Sequence, residues 1–114
     1  MNNNQEKCTY GLNQKTIKKI ILVFQAFKEI DAVILYGSRA KGNYKPGSDI
    51  DMVLKGEKLN LRLLNKISLA LDDLLLPYIF DVSIYHQISN PDLLAHIARV
   101  GKTFYTGEII NGGN

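Results

Sequence analysis

The feature that most constrains this chain is the stretch Gly37-Ser38-Arg39-Ala40-Lys41-Gly42-Asn43-Tyr44-Lys45-Pro46-Gly47-Ser48-Asp49-Ile50-Asp51. The apolar run Ala32-Val33-Ile34-Leu35-Tyr36 enters it, and Met52-Val53-Leu54 leaves it. Short β-branched and apolar runs bounded by Gly and Pro read as strands. The stretch is therefore the end of one strand, a tight Gly-Ser turn, a small basic segment and a second strand carrying Asp49 and Asp51. Side chains alternate along a strand, so residues two apart share a face. Two carboxylates side by side repel unless something positive lies between them. A divalent cation fits that place, and hard oxygen ligands favour magnesium.

The Gly-Ser turn supplies a second requirement. Gly37 allows a tight turn and close approach of the backbone to a ligand. If residues 38 to 41 begin a helix, their free N–H groups point at whatever sits above the turn, and such an end binds phosphate. The Ser38 hydroxyl adds a hydrogen bond, and Arg39 and Lys41 add positive charge. A phosphate cradle beside a metal-binding carboxylate pair is equipment for moving a phosphoryl or nucleotidyl group.

Charge is distributed to match. The net charge is +3, but residues 1 to 48 hold eight Lys/Arg against three acids, and the remainder holds six against eight. The basic excess suits an anionic ligand such as a nucleoside triphosphate. No dense basic run and no aromatic-basic interleaving appears, so direct nucleic-acid binding is not expected. Cys8 is the sole cysteine, which excludes an internal disulfide and makes a reducing, cytoplasmic setting the default. No apolar stretch is long enough for a membrane span, and the Asn-rich start lacks the order of a secretory signal.

At 114 residues the chain is read as one domain. Residues 1–11 read as a flexible start, 12–106 as the folded domain and 107–114 as a flexible tail. Asn13 is placed to cap a helix running to about Lys28, with Ile17, Ile20, Ile21, Phe24 and Phe27 at helical spacing. Asn60 caps a second long helix with the stripe Leu64, Ile67, Leu71 and Leu74, and Pro77 is the stop. A third strand spans about Tyr78 to Tyr85. Asn90-Pro91-Asp92 opens a helix that runs to about Val100 and closes at Gly101. Thr103 to Thr106 makes a last short strand. Strands separated by helices give an α/β or α+β fold, a sheet with helices packed on it.

Asp81 is the oddity of the third strand, a charge among Phe80, Val82 and Ile84. An unpaired carboxylate in an apolar strand is costly. If the second and third strands are neighbours, Asp81 falls about 5 Å laterally from the aspartate pair. Three carboxylates on one sheet face, beside a phosphate-binding turn, have no comfortable structural explanation. Other residues read as ordinary: His86 and His96 as surface or helix-packing residues, the tyrosines as core or rim aromatics, and Lys15, Lys18 and Lys19 as a solvated helix face. Tyr44, in the loop, is the aromatic to watch.

Gly37-Ser38, ten residues, then Asp49-Ile50-Asp51 resembles the signature of the DNA polymerase β-type nucleotidyltransferase superfamily. The wider match, Leu35 to Gly42 with Ser48 to Asp51, resembles the minimal nucleotidyltransferase (MNT) family, and Asp81 lies where that family places its third carboxylate. The resemblance covers roughly Leu12 to Thr106. It implies a small mixed sheet of about three to five strands backed by helices. It further implies that Asp49, Asp51 and Asp81 are catalytic and hold two magnesium ions, with manganese as a substitute. Gly37 and Ser38 would hold the triphosphate of ATP, with Arg39 assisting. Family members of this size are often paired with an all-helical HEPN-type toxin, an RNase, and act as its antitoxin by moving AMP onto a toxin tyrosine. So short a chain suggests that the acceptor lies on a partner protein. Two rival readings are an enzyme acting on a small molecule and a non-catalytic subunit that neutralises its partner by contact.

Overall fold

The computed structural model describes residues 8–107. The chain begins with a hairpin, β1 (Cys8–Thr9) and β2 (Leu12–Asn13), and continues as α1 (Gln14–Gln25), β3 (Ala32–Tyr36) and α2 (Gly37–Lys41). Next come β4 (Ile50–Lys55), α3 (Leu61–Asp72), β5 (Phe80–Ile84), a short 3-10 turn (Tyr85–Gln87), α4 (Pro91–Val100) and β6 (Lys102–Thr106). The fold is α+β, one of the two classes that the alternation of elements allows.

Side-chain caps start the three longer helices. Asn13 accepts from the Thr16 N–H at 2.8 Å and Asn60 from the Leu63 N–H at 2.9 Å. Asn90 accepts from Asp92 at 2.8 Å and Leu93 at 3.3 Å, ahead of Pro91 in the first turn. Two helices stop earlier than their apolar periodicity suggests. Helix α1 closes at Gln25, where Ala26 and Phe27 donate three residues back to Val23 and Phe24. This tightening turns the chain so that Ile30 enters the core and the Asp31 N–H meets the Lys55 carbonyl at 2.7 Å. Helix α3 ends at Asp72, ahead of Pro77, and Leu75 follows with a left-handed φ of 56°.

The main sheet has the order β5-β4-β3-β6. β3 runs antiparallel to β4 and β6, whereas β4 and β5 are parallel and joined through α3. One face carries Val33, Leu35, Ile50, Met52, Leu54 and Ile84 against Ile20 and Phe24 of α1 and Ile67 and Leu71 of α3. The other carries Tyr36 and Val53 against Ile97 of α4. Both sides of the central strands are thus covered, which accounts for their nearly continuous apolar sequence.

The start of the chain departs from expectation. Thr9 pairs with Leu12 and Cys8 with Asn13, where the sequence suggests a loose segment. Tyr10 and Gly11 turn this hairpin with φ of 59° and 76°, and the Tyr10 ring packs near Phe104 with centroids 6.3 Å apart. Two successive positive φ values suit the tight turn of a two-residue hairpin. At the other end, the Gly107 N–H donates to the Asp31 carbonyl at 2.8 Å. The loose segments expected at 1–7 and 108–114 lie outside the described residues.

Candidate functional site

The register of three strands builds the site. Tyr36 of β3 stands opposite Asp51 of β4, and Asp51 stands opposite Asp81 of β5. The parallel pairing of β4 and β5 therefore makes Asp51 and Asp81 lateral neighbours, as the sequence reading anticipates. Asp49 lies one residue before β4, at the end of the loop from α2. Asp49 and Asp81 are exposed and Asp51 is half-buried.

Asp51 feels this crowding. Burial raises its carboxyl above the ordinary 3.8, Asp81 and Asp49 push it further in the same direction, and His96 opposes them. The phenol of Tyr36 is likewise raised from its ordinary 10.0, first by burial and then by Asp81 and Asp51, with a hydrogen bond from Ser83 working the other way. Asp51 and Tyr36 thus both feel the charge of Asp81 at the end of the sheet.

Gly37 brings the turn onto these residues. Its φ is +74°, a left-handed conformation that disfavours any residue with a Cβ. A Cβ there would also run into the Asp51 carboxylate. Helix α2 is a single turn stopped by Gly42, whose φ is 96°. Tyr36 offers no side-chain cap, and the Gly37 N–H donates to His96 Nε2 at 3.2 Å. The Ser38 hydroxyl has no hydrogen-bond partner among the described residues.

Two residues play parts that their sequence context does not show. His96 lies on α4, edge-on to the Tyr36 ring with centroids 6.0 Å apart, and reaches the turn 59 residues away. It packs α4 against Tyr36, in keeping with a helix-packing role, and adds a hydrogen bond to the turn. Its one-dimensional signal is weak: a histidine beside the apolar positions Leu93, Ile97 and Val100. Arg39 is the second. It is 2% exposed, and its guanidinium donates to the carbonyls of Ser48, Pro46 and Tyr10. Lys41, by contrast, is exposed. His86 is exposed, in keeping with its reading as a surface residue.

Among the described residues, no group of three His, Cys, Asp or Glu side chains converges tightly enough to hold a metal ion. The donor chemistry nevertheless fits a hard divalent cation. It is all carboxylate oxygen, and Asp81 and Asp49 add to the burial that raises the Asp51 carboxyl, a crowding of negative charge that a cation would offset. Asp49, Asp51 and Asp81 are the carboxylates that would hold such a cation.

A sheet end carrying neighbouring carboxylates beside a Gly-Ser turn defines the nucleotidyltransferase class of fold. Residues 18–108 match the family described as Polymerase beta, Nucleotidyltransferase, and the chain belongs to that family. It is also similar in fold to a chain in a crystal structure of a toxin–antitoxin with AMP-PNP, at 20% identity and a TM-score of 0.66, covering 81% of this chain and 74% of that one. A second likeness is to a structure of the tri-AMPylated Shewanella oneidensis HEPN toxin in complex with MNT antitoxin, at 19% identity and a TM-score of 0.61, covering 82% and 71%. A third is to the toxin–antitoxin MntA-HepT, at 19% identity and a TM-score of 0.62, covering 82% and 73%. No curated protein matches the chain.

Proposed function

We propose that this chain is the MNT antitoxin of a two-protein toxin–antitoxin pair and transfers AMP from ATP to a tyrosine hydroxyl of a HEPN-type helical toxin. The observation that carries this reading is the row Tyr36–Asp51–Asp81, set beside a Gly37 turn that tolerates no side chain. The match to the nucleotidyltransferase family supports the reaction class. The fold likeness to the tri-AMPylated HEPN toxin complex supports the acceptor and partner.

In this mechanism Gly37 and Ser38 hold the triphosphate through the turn backbone and the Ser38 hydroxyl. Asp49 and Asp51, completed by Asp81, are the residues that would hold two magnesium ions, with manganese as a substitute. Bound there, the metal supplies charge stabilisation for an in-line displacement. The acceptor oxygen forms a bond to the α-phosphorus as the bond from that phosphorus to the β-phosphate oxygen breaks, and pyrophosphate leaves. Asp81, the exposed carboxylate on the edge strand, takes up the acceptor's proton. Exposure of Asp49 and Asp81 leaves the site open to an acceptor as large as a folded protein. Among the described residues no helix is long and apolar enough to cross a membrane, and the reading places the pair in the cytoplasm.

Intact-mass spectrometry of the partner after incubation with ATP and magnesium tests the proposal. Additions of AMP mass are expected, lost with the Asp49→Asn, Asp51→Asn double variant, together with loss of toxin RNase activity when the additions are present. Full neutralisation by the double variant, with no AMP on the partner, would make contact alone the mechanism.

A further inference from the structure

The geometry points to Arg39 as a positioning residue for Asp49, acting through the Ser48 carbonyl and tying the site loop to the N-terminal hairpin. This inference rests on the reading of Asp49 as a cation ligand.

Arg39 is charged and 2% exposed, and its hydrogen bonds among the described residues go to neutral carbonyls. Removing a guanidinium from water costs several kcal/mol in effective terms, by roughly the scale known for buried ions, so its bonds must recover much. Nε and Nη2 both donate to the Ser48 carbonyl, at 3.1 and 2.9 Å, and Nη2 also reaches the Pro46 carbonyl at 3.2 Å. Tyr78 and Tyr44 rings lie 5.0 and 5.4 Å from the guanidinium carbon, positions that favour a cation.

The Ser48 carbonyl belongs to the peptide unit that also contains the Asp49 nitrogen. That unit is planar, so a forked clamp on its oxygen sets the plane from which Asp49 departs. On the far side of Asp49, the Ile50 N–H donates to the Ile79 carbonyl at 2.9 Å. Asp49 is thus an exposed side chain held between two backbone anchors, one in the sheet and one made by Arg39. The turn before it is closed on itself: Ser48 N–H meets the Lys45 carbonyl at 2.9 Å, and Lys45 N–H meets Ser48 Oγ at 2.8 Å. Arg39 holds this closed turn as a unit.

The third arm, Nη1, donates to the Tyr10 carbonyl at 2.9 Å. Gly11 sits so close that a Cβ there would meet the Tyr44 ring and Arg39 Nη1. One guanidinium therefore joins α2, the loop before Asp49 and the turn of the first hairpin. A lysine has one nitrogen and cannot span these acceptors.

The test uses the full chain and Mn2+ alone as the probe, with Mn2+ affinity measured by calorimetry and by electron paramagnetic resonance. Arg39→Lys should fold with an unchanged far-ultraviolet spectrum and lose about tenfold in Mn2+ affinity, the lower end of what supporting residues of metal ligands typically contribute. In an Asp49→Asn background the same change should add nothing, whereas in an Asp81→Asn background it should add its full effect. Amides of residues 43–49 should exchange faster in Arg39→Lys. Arg39→Met, which keeps apolar bulk and removes the buried charge, replaces the lysine variant if that one fails to fold. Unchanged Mn2+ affinity, or an equal loss with and without Asp49, overturns the inference. Should the wild type bind no Mn2+, the cation reading fails by itself, and the exchange rates alone decide: unchanged rates overturn the clamp, and accelerated rates support it.

Discussion

His96 Nε2 accepts the Gly37 N–H at 3.2 Å, joining α4 to the turn that closes β3. The bond satisfies a backbone donor at the start of a helix whose preceding residue provides no side-chain cap.

Loss of this acceptor should be measurable. His96→Ala should lower stability by about 1 kcal/mol, the usual net worth of one hydrogen bond, plus the lost contact with Tyr36. His96→Gln can present an oxygen near the place of Nε2 and should lose less. Thermal melts of the two variants check this, and equal losses would assign the effect to packing against the Tyr36 ring.

Gly37→Ala should be the more damaging substitution. It places a Cβ at φ +74° and against the Asp51 carboxylate. The left-handed conformation alone costs roughly 1 kcal/mol for a residue other than glycine. The displacement of Asp51 should also reduce binding of ATP with magnesium. A calorimetric titration reads that loss, and full ATP affinity in a folded Gly37→Ala protein would place the triphosphate elsewhere.

The raised carboxyl of Asp51 sets a pH dependence. Between the ordinary 3.8 and the raised value, the folded state holds more of this proton than the unfolded state. Stability therefore falls as pH rises through that window, and ionised Asp51 destabilises the metal-free protein above it. Asp51→Asn should raise the metal-free melting temperature at neutral pH, and the gain should shrink as pH falls toward 3.8. Melts of both proteins across pH, with chelator present, test the sign; a gain independent of pH would remove titration as its cause.

Magnesium or manganese should reverse that penalty in the wild type. A ligand at about a hundredfold excess over its dissociation constant adds about 2.7 kcal/mol. The melting temperature should rise with metal, and further with ATP. An identical rise in the Asp49→Asn, Asp51→Asn double variant would show that the cation binds elsewhere. Ser38→Ala should weaken ATP binding with little change in stability, because the hydroxyl has no protein partner among the described residues.

Local chemistry determined much of this protein in its sequence. Asparagines in front of apolar periodic runs begin helices wherever they occur, so the starts of α1, α3 and α4 were legible at Asn13, Asn60 and Asn90. Alternation along β4 and β5 put Asp51 and Asp81 on the same side of their strands, and the Gly-Ser turn announced itself between apolar runs. Tertiary structure decided what depends on contacts across the chain. The parallel register made Asp51 and Asp81 neighbours. Helix α1 stopped at Gln25 because Ile30 and Asp31 had to reach the core and the Lys55 carbonyl. Arg39 looked like a basic arm for an anion, yet carbonyls of Tyr10, Pro46 and Ser48 surround it. His96 had no partner in its own helix and found one on Gly37. Caps, turns and alternation act within a few residues, so the sequence carries them directly; a hydrogen bond between residues far apart in the chain exists only once the sheet and helices have closed around it.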